Sequence, residues 1–215
     1  MGDAEFPPAV EKELEGWRLV WFRLEPGTAE EISPELWEEA ARELRERTGE
    51  RPLSTLPAVA AVRALFRRTG CDPTRYRPSS EALARRVLKG QRLGPIHPFV
   101  DLNNLLSVRT LLPCCVVDPA RLEPPFRLRR GREGESMLSM RGPFSLEGKP
   151  VLEDAAGPFG TPITDSERVK VTGHTRECWL VTYAPEGFEE TVAPVLEDLA
   201  ARSRTAGIEA GPVVA

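Results

Sequence analysis

The sequence predicts an α+β fold, in which helices come first and a mixed or antiparallel sheet follows. Apolar residues recur at helical spacing in three segments between residues 34 and 89. From residue 114 onward, short apolar segments alternate with Gly and Pro turns, as is typical of strands. The chain has 215 residues, which is enough to bury one sizeable core, and we therefore predict a single domain.

The first element is a buried strand, because Glu15 to Leu24 (EGWRLVWFRL) is short, apolar and aromatic and precedes a Pro-Gly turn. A helix is predicted from Pro34 to Arg47. Ser33 is its expected N-cap, and Gly49 follows its last turn.

Two more helices are predicted in the next forty residues. The first covers residues 56–68, where a nearly continuous apolar pattern indicates central packing. The second begins with Ser79 as its cap, ends at Gly90, and turns Arg85, Arg86 and Lys89 toward solvent.

A fourth helix is predicted over Phe99 to Leu112, with Asp101, Asn103 and Asn104 marking its start. A last helix covers residues 189–203, and residues 207–215 are expected to form a frayed, flexible tail. Between these helices lie the predicted strands, which are Cys114 to Val117, Phe126 to Arg130, Ser136 to Met140, Val151 to Glu153, Arg168 to Thr172 and Trp179 to Tyr183.

Composition places the chain among globular proteins, with 40% hydrophobic and 29% charged residues. No apolar run approaches the roughly 20 residues of a membrane helix, so no membrane partner is expected. The first ten residues, MGDAEFPPAV, lack the basic and apolar regions of a signal peptide. Four irregularly spaced cysteines agree with a reducing compartment, and together these features predict a cytoplasmic protein.

Charge is unevenly distributed along the chain, although the net charge is only −4. Residues 1–50 carry 14 acidic and 6 basic residues, whereas residues 63–92 carry 9 basic and 2 acidic residues. A local basic surface attracts phosphates whatever the global charge, so Arg85, Arg86 and Lys89 are candidate contacts to a nucleic-acid backbone. A solvated helix face balanced by the acidic N-terminal part is the alternative interpretation.

Four segments, in order, resemble one family. They are Arg75 to Asp118, Gly131 to Ser139, Gly148 to Gly157 (GKPVLEDAAG) and Asp165 to Thr175 (DSERVKVTGHT). Over about Trp17 to Gly187 the chain resembles the B3/4 domain, the editing module of the phenylalanyl-tRNA synthetase β subunit, and more closely that module's free-standing bacterial relatives. The resemblance implies a single B3/4-like domain that binds tRNA or aminoacyl-tRNA and hydrolyses misacylated aminoacyl-tRNA in trans, with water as nucleophile. A noncatalytic module that binds tRNA or an amino acid is the alternative.

The same resemblance implies site residues at the start of the fourth helix. Asp101-Leu102-Asn103-Asn104 matches an Asp-Val-Thr-Asn turn whose asparagine lines the family's pocket. Asn103 and Asn104 are the implied catalytic groups, since a carboxamide both donates and accepts hydrogen bonds and can orient water, and Asp101 is an implied substrate contact. The alternative role of the asparagines is to cap the helix.

Departures from the family pattern affect two further substrate contacts. Cys115 stands where the family has a pocket histidine, and Val181 stands where the synthetase has an acidic residue that recognises a tyrosine hydroxyl. Loss of that acid should remove tyrosine preference. The resemblance therefore implies a pocket for a smaller or nonpolar side chain.

The run Asp165 to Lys170 resembles a Ser-Glu-Arg-x-Lys motif of the free-standing relatives. On the predicted strand, Glu167 and Arg168 alternate between the interior and the surface. Arg168 is then a candidate for a substrate carboxylate or a tRNA phosphate, and Glu167 for an α-amino group. An ordinary surface ion pair is the competing interpretation.

No metal and no cofactor are expected. Cys114 and Cys115 are adjacent in a strand and point to opposite faces, and no CxxC or HxxxH pair occurs with Cys178, His97 or His174. A thiol mechanism at Cys115 would need a base to depress its pKa, which leaves a small buried core residue as the simpler reading. Walker, GxGxxG and GxSxG motifs are all missing from the sequence.

Overall fold

The computed structural model describes residues 5–215. Met1 to Ala4, the first four residues of the N-terminal segment considered above for a signal peptide, lie outside the described residues. The five α-helices within this range are α1 (Pro34–Thr48), α2 (Pro57–Thr69), α3 (Ser79–Leu88), α4 (Pro98–Thr110) and α5 (Val192–Ser203). The strands are β1 (Val10–Lys12), β2 (Trp17–Pro26), β3 (Cys114–Val117), β4 (Phe126–Arg130), β5 (Ser136–Ser139), β6 (Gly142–Ser145), β7 (Pro150–Asp154), β8 (Gly157–Gly160), β9 (Cys178–Pro185) and β10 (Ala206–Val214).

The central sheet has the strand order β10-β2-β9-β3 and is antiparallel throughout. All eight residues of β9 are buried, because this strand has a neighbour on each side and is covered on both faces. One face of the central sheet is aromatic and packs against β4 and α2. On this face Trp21 contacts Trp179 edge to face, Trp179 contacts Phe126 of β4, and Trp17 contacts Phe66 of α2.

A second sheet has the order β1-β4-β7-β8, in which β1 pairs with β4 in parallel and the other pairs are antiparallel. The strands β5 and β6 form a separate hairpin. Helices and mixed or antiparallel sheets in one chain confirm the predicted α+β class.

Helix α4 is the most deeply placed of the helices. Nine of its 13 residues are buried, because it contacts β3 on one side and α1, α3 and α5 on the others. Ser107 of α4 lies beside the Cys114 thiol, so α4 covers the face of the central sheet opposite to the aromatic face.

The predicted capping differs from the structure at three helices. Ser33 occupies the N-cap position of α1 without a side-chain hydrogen bond, and Pro78 stands at the N-cap of α3, with Ser79 already helical. Helix α4 begins at Pro98, and its cap is His97, whose Nδ1 accepts a hydrogen bond from the backbone N–H of Phe99 at 3.3 Å. Asp101 lies in the first turn, as predicted, whereas Asn103 and Asn104 lie in the second turn, so the prediction that the asparagines mark the helix start is wrong.

Two other expectations are wrong. Arg168 to Thr172 is not a strand, because residues Glu167–Val169 form a 3₁₀ turn in which the Ser166 hydroxyl accepts from the N–H of Arg168. Residues 207–215 are not a frayed tail. Residues 207–214 belong to β10, which pairs with β2. Ala215, just beyond the strand, forms two backbone hydrogen bonds with Leu19, so this end of the chain covers the edge of β2.

Candidate active site

A buried polar site begins at the pairing of β3 with β9. Cys115 and Val181 are direct partners across these strands, and both side chains are fully buried. Because side chains alternate along a strand, Tyr183 shares the face of Val181, while Thr182 shares the opposite face with Cys114. The Cys114 sulphur accordingly lies 3.2 Å from the Thr182 hydroxyl, and the Cys115 sulphur lies 4.0 Å from the Tyr183 hydroxyl.

Gly160, at the end of β8, closes this site from the second sheet. A Cβ atom at Gly160 would lie 2.7 Å from the Tyr183 hydroxyl, 3.7 Å from the Cys115 sulphur and 3.9 Å from Oδ1 of Asp165. A distance of 2.7 Å is a steric clash, so only glycine fits here. Three polar groups thus converge around one backbone position, and we call Cys115, Gly160, Asp165 and Tyr183 the Asp165 cluster.

Asp165 is the most unusual member of the cluster. Its Oδ1 atom is buried and has no hydrogen-bond partner among residues 5–215. Burial raises the pKa of Asp165 to about 7, an effect that the nearby Cys115 thiol offsets only in part. Both protonation states of this carboxyl are therefore populated near neutral pH, which is the condition that a general base or acid requires.

Cys115 and Tyr183 remain protonated in this setting. Burial is the main cause that raises the pKa of the Cys115 thiol well above its usual value, and the neighbouring Asp165 adds to the effect. Burial likewise raises the pKa of the Tyr183 hydroxyl. A thiolate nucleophile is therefore disfavoured at Cys115, and both residues are suited to donate hydrogen bonds instead.

The asparagine pair lies in the second turn of α4. Asn103 is buried, and its Oδ1 has no hydrogen-bond partner within residues 5–215, while Asn104 is half-buried. Because α4 covers the Cys114 face of β3, these residues are on the helix side of the sheet, whereas Cys115 is on the other side. That Asn103, Asn104 and Cys115 share one pocket stays a prediction.

Glu167 and Arg168 make contacts within the protein. The Arg168 guanidinium forms a bidentate pair with Asp154, at 2.7 and 3.2 Å, and donates to the carbonyls of Arg121 and Gly157. Glu167 pairs with Lys170. Binding of a substrate by Arg168 would require the pair with Asp154 to open, and that role stays a prediction.

The basic segment is tied to one buried carboxylate. Glu81 of α3 has a fully buried side chain, which accepts hydrogen bonds from Arg63 at 2.9 Å and from Arg85 at 3.0 and 2.9 Å; Arg77 lies within 3.6 Å. Arg86 and Lys89 are exposed and form no ion pair with any residue from 5 to 215. Of the three predicted tRNA contacts, Arg85 therefore pairs with a buried carboxylate, whereas Arg86 and Lys89 have no such partner among the described residues.

Across residues 5–215 no group of three or more His, Cys, Asp or Glu side chains is arranged to hold a metal ion. All four cysteines are free and buried. Within the same range, no helix has the length and apolar character needed to span a bilayer.

Three members of the Asp165 cluster, Gly160, Asp165 and Tyr183, were not among the site residues predicted from the sequence. Asp165 is the first residue of the DSERVK run, in which only Glu167 and Arg168 were predicted to contact the substrate. Tyr183 was predicted only as the last residue of a strand. The signal that could have identified Tyr183 is its i+2 spacing from Val181, which places both on one face. The burial of Asp165 has no signature in the sequence, because it depends on the loop that follows β8 folding back onto β3.

Comparison with known proteins bears on this site. The model of the B3/4 domain matches residues 61–191, which contain the whole Asp165 cluster. An N-terminal fragment of the phenylalanyl-tRNA synthetase β subunit from Pyrococcus horikoshii is similar over 94% of this chain, with 13% identity and a TM-score of 0.47, and the chain spans 50% of that fragment. The C-terminal domain of TILS is similar over 34% of this chain and 71% of that domain, with 22% identity and a TM-score of 0.30. No curated protein matches the chain.

Proposed function

The chain belongs to the B3/4 domain family, and from this premise we propose that it hydrolyses misacylated aminoacyl-tRNA in trans, with the Asp165 cluster as its active site. Editing is the activity that the family resemblance implies. Because tRNA is aminoacylated and used in the cytoplasm, we propose that the protein acts there. The observation that carries the proposal is Asp165, a half-buried residue whose Oδ1 atom is buried and unpaired and whose pKa is raised to about 7.

Hydrolysis of the ester at this site needs a base for water and donors for the oxyanion. The Asp165 carboxylate removes a proton from water as the water oxygen bonds to the ester carbonyl carbon. Cys115 and Tyr183 donate hydrogen bonds to the oxygen that becomes negative. The ester C–O bond then breaks, the protonated Asp165 returns its proton to the ribose hydroxyl of the tRNA, and the free amino acid leaves.

The walls of the site bear on specificity. Val181 pairs directly with Cys115 and is fully buried, and we propose that it contacts the substrate side chain when a substrate enters the site. Such an apolar contact favours a small or nonpolar amino acid and offers no partner for a phenol hydroxyl. Asn103 and Asn104 are on α4, across the sheet from Asp165, so their role in substrate binding is kept as a separate prediction. Arg86 and Lys89 are proposed to contact the tRNA backbone.

A deacylation assay against a panel of aminoacyl-tRNAs tests the proposal. The wild-type protein is expected to hydrolyse at least one aminoacyl-tRNA with a small or nonpolar amino acid, and Asp165→Asn should lower the rate by about 10²- to 10⁴-fold. Tyr183→Phe should cost less, because one of two donors remains. Glu133→Gln changes an exposed carboxylate outside the cluster and should act like the wild type.

Binding without hydrolysis is the second candidate. It is favoured by Cys115, whose buried thiol takes the place of a histidine that the family uses. In that case the protein binds tRNA or a free amino acid, and no aminoacyl-tRNA in the panel is hydrolysed faster than in buffer. If Asp165→Asn hydrolyses aminoacyl-tRNA as fast as the wild type, the protein is a hydrolase, but Asp165 is not its base.

A further inference from the structure

A second concave site lies on the helical side of the molecule. It is a cavity of about 670 Å³ between α1, the end of α3 and the segment that joins α3 to α4. None of Cys115, Asp165 and Tyr183 lines it, so it is separate from the proposed active site. The lining residues used below are Glu31, Ile32, Trp37, Val87, Gly94 and Asp101.

Asp101 presents an unused hydrogen-bonding atom to this cavity. The residue is only 2% exposed, and its Oδ2 accepts a hydrogen bond from the N–H of Ile96 at 2.9 Å. Its Oδ1 is buried and has no hydrogen-bond partner within residues 5–215. A Cβ atom at Gly94 would lie 2.8 Å from this oxygen, so a larger residue at this position would crowd Oδ1. A buried carboxylate oxygen without a partner is costly, which is typical of a site that a ligand completes.

The surroundings of Asp101 select a cation. Glu31 also lines the cavity and lies close enough for its charge to act on Asp101. No Lys or Arg between residues 5 and 215 forms an ion pair with either carboxylate. Arg45 and Arg92 are exposed residues of the lining, whereas Asp101 is buried, so negative charge is placed deeper than positive charge.

Part of the remaining lining is apolar. Ile32 and Val87 are buried, and Trp37 is a half-buried aromatic side chain along the same cavity. An indole face attracts cations and also packs against hydrocarbon. The combination of a buried carboxylate and an apolar and aromatic wall fits a ligand with a charged head and a nonpolar body.

We propose that this cavity binds a primary amine with an apolar body, its ammonium group on Asp101 Oδ1 and its body against Trp37, Ile32 and Val87. The ammonium supplies the missing donor, and Glu31 adds attraction for the same charge. This assignment does not depend on the hydrolytic function, because the two sites share no residue.

Titration with 2-phenylethylamine, followed by intrinsic tryptophan fluorescence and by calorimetry, tests the proposal. Trp17, Trp21 and Trp179 are at most 1% exposed, so a fluorescence change on binding reports on Trp37. We expect saturable binding of the amine and binding at least about tenfold weaker for 2-phenylethanol, which has the same body without charge. Equal binding of the two compounds, or no saturable binding of the amine, overturns the proposal.

Three variants locate the ammonium. Asp101→Asn keeps an acceptor for the N–H of Ile96 and should weaken amine binding about tenfold or more, while Glu31→Gln should weaken it less. Glu46→Gln, an exposed residue of α1 outside the cavity lining, is the matched control. Unchanged affinity in Asp101→Asn refutes the site. If Asp101→Asn does not fold, unchanged amine affinity in Glu31→Gln refutes the proposed site instead.

Discussion

Asp154 and Asp165 are two carboxylates in the same half of the molecule, and their surroundings are opposite. Asp154 has a fully buried side chain that accepts from the N–H groups of Glu123 and Ala156 and pairs with Arg168 at 2.7 Å. Asp165 has a buried Oδ1 with no partner within residues 5–215, and burial raises its pKa to about 7. The first carboxylate holds the chain in place, and the second is free to exchange a proton.

The contrast separates the charged residues of this region by what their hydrogen bonds do. The resemblance drew attention to Arg168 as a substrate contact, yet its donors are directed at Asp154 and two carbonyl groups. A charged side chain whose hydrogen bonds are all internal stabilises the fold. A charged side chain with an unsatisfied atom in a buried site is the better candidate for chemistry.

The largest expected effect is the pH dependence that Asp165 adds to stability. Its folded pKa of about 7 lies above the usual 3.8, so the folded protein keeps a proton that the unfolded chain loses. Stability from this group is complete below about pH 4 and declines as pH rises to about 7, by up to roughly 4 kcal/mol. Urea unfolding of wild type and Asp165→Asn at pH 4 and pH 8 measures it.

The wild type should lose stability relative to Asp165→Asn between these two pH values. A constant difference in the free energy of unfolding would mean that Asp165 titrates as it does in water, and the contrast with Asp154 would disappear.

Removal of Asp154 should produce the next largest effect. Asp154→Ala leaves two backbone N–H groups and the Arg168 guanidinium without their acceptor, and we expect a loss of about 3 kcal/mol in the free energy of unfolding. Asp198 pairs with Arg109 and Arg202 but its side chain is 43% exposed, so Asp198→Ala should cost less than about 1 kcal/mol. Similar losses in both variants would contradict the structural role assigned to Asp154.

Gly160 tests whether the Asp165 cluster is as tightly packed as the distances indicate. Gly160→Ala places a methyl group 2.7 Å from the Tyr183 hydroxyl, and we expect a cost of about 2 kcal/mol with loss of hydrolysis. Gly173→Ala is the matched control, because a Cβ there meets no atom within 4 Å. If thermal unfolding shifts equally in the two variants, the cluster is looser than described.

The smallest effects on stability are expected in the basic helix, where the same contrast recurs among cations. Arg85→Ala removes two hydrogen bonds from the buried Glu81 and should cost about 1 kcal/mol, whereas Arg86→Ala with Lys89→Ala should stay within about 0.5 kcal/mol. If the helix contacts tRNA, the double variant reduces the slope of log affinity against log salt by about 1.4 to 1.8. Binding measured at several salt concentrations decides this, and an unchanged slope excludes the contact.

Much of the architecture was predictable, because it depends on local pattern. The helices that became α1, α2 and α3 were predicted within one or two residues at each end, since apolar periodicity and glycine stops are local features. The last strand was missed: Gly211 and Pro212 interrupt its apolar residues, and the signal that makes it a strand is the open edge of β2, about 190 residues earlier in the chain.

The site was predictable only in part. Cys115 and Val181 were selected by resemblance, and their direct pairing follows from the register of two strands that sequence placed correctly. Asp165 could not be identified from the sequence, because its pKa is raised by burial in the assembled fold. The neighbouring residues Gly160, Tyr183 and Cys115 come from three separate segments of the chain. Desolvation is a property of the assembled fold and leaves no local pattern in sequence.

The pH dependence of aminoacyl-tRNA hydrolysis tests the central claim most directly. With spontaneous hydrolysis subtracted, the single-turnover rate of the wild type should rise with pH and level off above an inflection near pH 7, where Asp165 becomes a carboxylate. Asp165→Asn should be slower by about 10²-fold or more and show no inflection there. An inflection near pH 7 that persists in Asp165→Asn would contradict the assignment of Asp165 as the base.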